Sequence, residues 1–151
     1  MAFTQIGSNI TGDASSHYFG RGVSLSSDGT VVAIGASNGV NSSSVNTGYI
    51  QIYEWNTGTS SWQQRGNNIS GDGSRDFFGS AVSISSDGNT VAIGAKNNDG
   101  NGNNSGHVRI YNWNGSAWIQ LGSDIIGEDA NDYSGTSISL SNDGSIVAIG
   151  A

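Results

Sequence analysis

The sequence predicts an all-β protein built from β-propeller blades, two of them complete with four antiparallel strands and a third one partial. The first observation is a repeat, because the segment FTQIGSNITGD at residue 3 returns in similar form at residues 62 and 118. The second is composition, since 24 glycines and few leucines among 151 residues disfavour a helical core. The third is an Asp-Gly pair between two apolar runs in each repeat, which is a strong sign of a hairpin.

The repeat divides the chain into units of nearly constant length. Gly20, Gly79 and Gly135 occupy the same position and are separated by 59 and 56 residues. We therefore predict a single repeat domain over residues 1–151, with units at about 3–61, 62–117 and 118–151, the last one truncated.

Each unit begins its sheet with a hairpin. In the first strand, large apolar residues alternate with serine, which predicts one apolar face. Its three copies are at residues 22–26, 81–85 and 137–141. The second strand follows the Asp-Gly turn and is apolar on both faces, which is typical of a central strand enclosed by its neighbours. Its copies are at residues 30–36, 90–95 and 145–151.

Two further strands complete the unit. The third strand, at residues 48–55 and 106–113, alternates Ile or Val with polar and aromatic residues, and the fourth begins at Trp62 or Trp118. A lone strand of the fourth type is predicted at residues 3–10, and the chain stops after the second strand of the last unit. Four antiparallel strands per repeat are typical of a propeller blade.

Composition also limits the partners. With 12 acidic and 5 basic residues the formal net charge is −7, which opposes binding to nucleic acid or to an anionic membrane. No apolar run is long enough for membrane insertion, and the first residues lack the features of a secretory signal peptide. The absence of cysteine excludes disulfides and thiolate metal sites.

A pair of dipeptides frames the hairpin of every unit and carries a resemblance to a known family. Phe19-Gly20 precedes Gly35-Ala36, Phe78-Gly79 precedes Gly94-Ala95, and Ser134-Gly135 precedes Gly150-Ala151. The pattern resembles the FG-GAP repeat of integrin α-subunit propellers and their bacterial relatives. The resemblance implies a non-catalytic scaffold for adhesion or ligand presentation, usually extracellular.

The resemblance also implies a calcium loop in the hairpin between the first two strands. In this sequence that hairpin is only Ser-Ser-Asp-Gly or Ser-Asn-Asp-Gly, which offers too few oxygens for an ion that needs six to eight. We therefore interpret Asp28, Asp87 and Asp143 as turn residues that bond their own backbone.

A second calcium candidate is the Asn-rich loop at residues 97–104, where oxygen ligands would come from Asn97, Asp99, Asn101 and Asn103. The loop has a single carboxylate and no terminal glutamate, so a flexible polar loop is the alternative interpretation. No other cofactor is predicted.

No catalytic residue is predicted. Acidic residues recur where one unit crosses to the next, and paired carboxylates are the machinery of glycosidases. Because an acid at the same place in successive units usually caps a loop, we interpret these residues as structural. They are Asp13 with His17, Asp72 and Asp76, and Glu128, Asp129 and Asp132. His17 and His107 lie at different positions of the unit, with no spacing that suits zinc.

Four tryptophans bracket the hairpin between the third and fourth strands, at Trp55, Trp62, Trp113 and Trp118. They are sugar-stacking candidates for a lectin-like module. The alternative is a cross-strand cluster at the outer edge of the blade that packs against the next blade.

These observations favour a non-catalytic scaffold for surface adhesion, protein interaction or structural assembly, on a virion or a cell surface. The expected ligand is a protein or a glycan on a surface. A carbohydrate-binding propeller is the alternative function, and a hydrolase is the third hypothesis.

The last unit stops after its second strand, and a soluble protein avoids a bare apolar strand edge. We therefore expect self-association that completes the partial blade, as a closed ring or as a fibre.

Overall fold

A computed structural model of the chain describes residues 2–41 and 43–151, which form three antiparallel sheets after a 3-10 turn at Ser15–His17. The first sheet contains β1 (Phe19–Leu25), β2 (Val31–Ala36), β3 (Tyr49–Asn56) and β4 (Ser61–Gln64), with β5 (Ile69–Ser70) pairing farther along β3. The second contains β6 (Ala81–Ile84), β7 (Thr90–Ala95), β8 (His107–Trp113) and β9 (Trp118–Ile126). The third contains β10 (Ser137–Leu140) and β11 (Val147–Gly150). Within the described residues, no helix is long and apolar enough to span a membrane.

Strands pair in chain order, which confirms the predicted antiparallel all-β organisation. β2 and β7 are buried along their whole length, because each has a strand on both sides and packs against a neighbouring sheet. Their apolar residues therefore lose contact with water on both faces, as expected for central strands.

The hydrophobic core lies between the first and second sheets. Val31, Ala33 and Ile50 of the first sheet belong to one cluster with Val91 and Ile93 of the second. Phe78, the aromatic residue of the Phe-Gly dipeptide, is completely buried in this cluster. Burial of a side chain of this size contributes about 1.5–3 kcal/mol.

The paired glycines allow the sheets to approach through their backbones. A Cβ atom on Gly35 would overlap the carbonyl oxygen of Gly79 in the next sheet, and one on Gly94 would overlap the carbonyl oxygen of Gly135. The GA dipeptide of one sheet and the FG dipeptide of the following sheet therefore meet at a contact that any side chain would prevent.

The predicted strand at residues 3–10 is not formed, and the structure corrects that prediction. A strand needs a neighbour for its hydrogen bonds, and no third strand precedes this segment in the described residues. The segment still holds the position of a fourth strand. Gly7 lies against Trp55 and Trp62, as Gly66 lies against Trp113 and Trp118 one sheet later.

Candidate functional site

The hairpin aspartates share one arrangement of hydrogen bonds. Oδ1 of Asp87 accepts hydrogen bonds from the Ser85 hydroxyl at 2.6 Å and from the Asn89 backbone N–H at 3.0 Å. Asp28 and Asp143 accept the equivalent pair of bonds. These carboxylates therefore stabilise their own turns, as the sequence predicted.

Hydrogen bonds to a carboxylate favour its charged form. The pKa of Asp87 is lowered mainly by the Ser85 hydroxyl and next by the Asn89 N–H. The pKa of Asp28 is lowered mainly by the Thr30 N–H and next by the Ser26 hydroxyl. At Asp143, the Ser141 hydroxyl and the Ser145 N–H lower the pKa to about 2. The repeat thus creates the same acidic, backbone-bonded group in each turn.

We expect the Asp143 carboxyl to titrate near pH 2, and the turns to weaken as the pH falls from about 4 toward that value. A pKa lowered by folding stabilises the folded state above the unfolded pKa, and this contribution is lost as the pH falls through the folded pKa. Carboxyl-carbon NMR across an acid titration measures the midpoint directly. A midpoint near the ordinary aspartate pKa, about 4, would contradict the hydrogen-bonded turn.

The calcium candidates of the Asn-rich loop form hydrogen bonds within the loop or to the crossovers. Oδ1 of Asp99 accepts a hydrogen bond from the Asn104 N–H at 2.7 Å. The Asn101 side-chain amide donates to the backbone oxygens of Gly127 at 3.0 Å and Glu128 at 2.6 Å. The structure gives Asn97 and Asn103 backbone hydrogen bonds to the crossovers. Across residues 2–41 and 43–151, no three acidic or histidine side chains form a group that could hold a metal ion.

We expect a chelator to leave the melting temperature nearly unchanged, because Asp99 already caps its own loop and Asn101 holds the next crossover. Loss of a structural ion would remove binding free energy that acts as folding free energy. Differential scanning fluorimetry with and without EDTA, followed by added calcium, tests this expectation. A fall of more than about ten degrees in EDTA, restored by calcium, would show that the loop binds metal.

Three carboxylates of the crossovers accept hydrogen bonds from different structural donors. The buried Asp76 accepts a hydrogen bond from the Asn98 amide at 2.6 Å, and Asp13 accepts one from the Tyr49 hydroxyl at 2.9 Å. Burial, followed by this hydrogen bond, raises the pKa of Tyr49 to about 12, so the tyrosine remains a donor. Asp132 accepts from the Asp129 N–H at 2.8 Å.

Two carboxylates do meet, at Arg109 on β8. The Arg109 guanidinium donates to both oxygens of Asp124 on β9, at 2.9 and 2.8 Å, and lies 2.6 Å from Asp72. The hydrogen bond from Arg109 lowers the pKa of Asp124. The arginine therefore favours the ionised form of Asp124, which is not arranged as a proton donor. Sequence reasoning missed this group, although Arg109 and Asp124 are on adjacent strands.

The tryptophans form two cross-strand pairs. Trp55 is directly opposite Trp62, and Trp113 is directly opposite Trp118, with ring centroids 5.4 Å apart in both pairs. Edge-to-face or tilted pairs of this kind contribute about 0.5–1.5 kcal/mol beyond their buried area.

The second tryptophan pair, Trp113 with Trp118, has a neighbour in the first sheet. The guanidinium of Arg65, in the first sheet, lies 5.0 Å from the Trp113 ring centroid, and the Trp118 indole N–H donates to the Arg65 carbonyl at 2.8 Å. The second pair therefore packs against the preceding sheet. This contact joins residues about 50 positions apart, so no local residue pattern could show it.

A groove recurs beside both tryptophan pairs. The groove beside Trp118 has a volume of about 320 Å³ and is also lined by Asn67, Asn68 and Tyr111, among other residues. The groove beside Trp62 has a volume of about 240 Å³ and is also lined by Ser8, Asn9 and Tyr53, among others. An aromatic wall with amides opposite can stack on a sugar ring and bond its hydroxyls. Trp55 lines a separate groove with Glu54 and Gln64.

Comparison with known proteins identifies one repeat. A search of curated proteins found no match to the chain. Residues 62–111 match the FG-GAP repeat, and this segment begins at the tryptophan where the second sequence unit starts. It includes both the Phe78-Gly79 and Gly94-Ala95 dipeptides, whose glycines make the close contacts between sheets. Residues 62–111 of the chain are therefore identified as an FG-GAP-type repeat.

Proposed function

We propose that the chain is a non-catalytic β-propeller scaffold for adhesion, protein interaction or structural assembly, whose sheets are the blades. The FG-GAP repeat is a module of the adhesion and protein-interaction type, which supports this function. The observation that carries the proposal is the stacking of successive sheets through the same backbone contacts at Gly35 and Gly94. Such an array has rigid walls and leaves its outer turns available to partners.

The bonding of the acidic residues supports a non-catalytic role. Asp76, Asp13 and Asp132 each accept a hydrogen bond from a structural donor, and Arg109 binds Asp72 and Asp124. A general acid needs a position beside the substrate from which it can donate its proton. Carboxylates engaged in structural hydrogen bonds and ion pairs do not meet this requirement.

The proposed location is extracellular, on a virion or a cell surface. FG-GAP repeats are typically domains of the extracellular type. The formal charge of −7 also disfavours nucleic acid and anionic lipid as partners, because both carry dense negative charge.

Binding of the labelled chain to intact cells tests the scaffold function. We expect saturable binding to at least one member of a panel of cultured animal and bacterial cells, and we expect protease treatment of the cells to abolish it. A catalytically inert adhesion module should also show no turnover of glycoside or phosphoester substrates. Absence of saturable binding on every cell type, or measurable turnover, would contradict the proposal.

The second candidate function is carbohydrate binding, which the recurring groove favours. Two grooves at equivalent positions would bind a repeating glycan with higher avidity than one groove alone. A glycan array should then give signals that fall in the Trp62→Phe and Trp118→Phe double variant. The matched control is Trp55→Phe with Trp113→Phe, which changes the other ring of each pair. No glycan signal, or equal loss in both double variants, would remove this candidate.

A further inference from the structure

The same hydrogen bond between neighbouring sheets occurs twice in the chain. The Ile84 N–H on β6 donates to the Ser24 hydroxyl on β1 at 3.0 Å, and the Leu140 N–H on β10 donates to the Ser83 hydroxyl on β6 at 2.9 Å. In each contact the strand of the following sheet is the donor. The two donors are 56 residues apart and the two acceptors 59, the spacings of the sequence repeat.

A second hydrogen bond repeats between the hairpin turns. The Ser27 N–H donates to the Ser86 carbonyl at 3.0 Å, and the Ser86 N–H donates to the Asn142 carbonyl at 2.8 Å. Here the preceding sheet is the donor. The following turn also covers the first residue of the second strand in the sheet before it, since Gly88 lies on Val31 and Gly144 lies on Thr90.

At one end of the stack, the first sheet exposes the side with which a following sheet makes this contact to the sheet before it. We call this the head face, and it consists of Gly20, Val23, Leu25, Ser27 and Gly29. Leu25 is 55% exposed, whereas Ile84, its equivalent in the second sheet, is 7% exposed. A Cβ atom added to Gly20 or Gly29 would meet no atom within 4 Å.

At the other end, the third sheet exposes the side with which a preceding sheet makes this contact to the sheet after it. This tail face consists of Ser139, Asn142, Ile146, Ala148 and Gly150. Ile146 is 70% exposed, whereas Val31 at the equivalent position is 2% exposed. Ala148 is exposed, whereas the equivalent Ala33 and Ala92 are fully buried.

We propose that the head face of one copy of this chain binds the tail face of a second copy, in the register of the internal repeat. This inference rests on the stacking that underlies the proposed scaffold. The Leu25 N–H then donates to the Ser139 hydroxyl of the second copy, the Asn142 N–H of that copy donates to the Ser27 carbonyl, and Gly29 covers Ile146. Each face supplies what the other lacks, so the contact is heterologous and not a symmetric dimer.

The segment at residues 3–10 would take part in the same contact. It lies beside Trp55 and Trp62 at the head end and pairs with no strand in the described residues. The tail end holds a sheet of two strands, β10 and β11. Head-to-tail contact would bring this segment and that sheet to one blade position. The rotation between copies then either closes a ring or extends a fibre.

A mixing experiment with end-specific variants tests this contact. Leu25→Glu places a charge on the head face and Ile146→Glu places one on the tail face, and both side chains are exposed in the single chain. Light scattering should show wild-type mass rising with concentration above the 15.5 kDa of one chain. Each variant alone should stay at one chain mass. An equimolar mixture should reach twice that mass and no more, because one head and one tail remain intact.

The control is Ile119→Glu on β9, an exposed apolar position outside both faces, which should associate like the wild type. Circular dichroism checks that every variant keeps its sheets. A wild-type chain that remains monomeric at its highest soluble concentration, or a mixture that stays at one chain mass, would overturn the inference. A chain that assembles only with another repeat appended after residue 151 would also overturn it. Cell binding by a strictly monomeric chain would leave the proposed scaffold function intact.

Discussion

Replacement of Gly35 by alanine is expected to lower the free energy of unfolding by about 3 kcal/mol. Its added Cβ atom would overlap the carbonyl oxygen of Gly79, and a backbone atom in a packed sheet cannot rotate away as a side chain can. The first and second sheets would have to separate at the centre of their shared core. Urea denaturation followed by tryptophan fluorescence measures the change.

The control for this substitution is Gly58→Ala, in the turn between β3 and β4. A Cβ atom there would meet only the Asn56 side chain, at 3.2 Å, so we expect a change within about 0.5 kcal/mol. Equal stability of the two variants would show that the sheets do not pack through Gly35. The equivalent substitution at Gly94 should destabilise the contact between the second and third sheets for the same reason.

Replacement of Gly88 by valine is expected to have a similarly large effect. The φ angle of Gly88 is 70°, in the left-handed region, where a β-branched residue costs about 1–3 kcal/mol in backbone strain. The added Cβ would also lie 2.7 Å from the Cβ and Cγ2 atoms of Val31, which adds a packing penalty of about 1–3 kcal/mol.

Gly29→Val separates these two contributions. Gly29 has a similar φ of 73°, but a Cβ atom there would meet nothing within 4 Å. In a dilute monomer it should therefore show the backbone strain alone and be the more stable of the two variants. If both variants lose the same stability, the contact between Gly88 and Val31 contributes nothing. If both are neutral, the turn does not require a left-handed residue.

The Asp-Gly hairpins were predictable because all their determinants are close in sequence. The aspartate bonds a backbone N–H two residues away, and the glycine supplies the positive φ. The buried character of β2 and β7 was predictable for a similar reason, since a strand with apolar residues on both faces has to be covered on both.

Contacts that depend on distant segments were not predictable from the residue pattern. The segment at residues 3–10 has the composition of a fourth strand, yet it forms no strand because no third strand is beside it. Arg109 on β8 forms an ion pair with Asp72, which precedes β6, so this contact depends on how distant segments fold together. The contact of Arg65 with Trp113 likewise joins two different sheets.

The sequence by itself determined the repeat, the antiparallel all-β sheets and the turn chemistry, because each depends on residue type and on spacing of a few positions. The tertiary structure decided which sheet each tryptophan pair contacts, which carboxylates meet, and which apolar side chains remain exposed at the two ends. Those features depend on how one twisted sheet stacks on the next. A β-branched apolar residue at the same repeat position is buried at Val31 and exposed at Ile146, because in the described residues only the first has a following sheet to cover it.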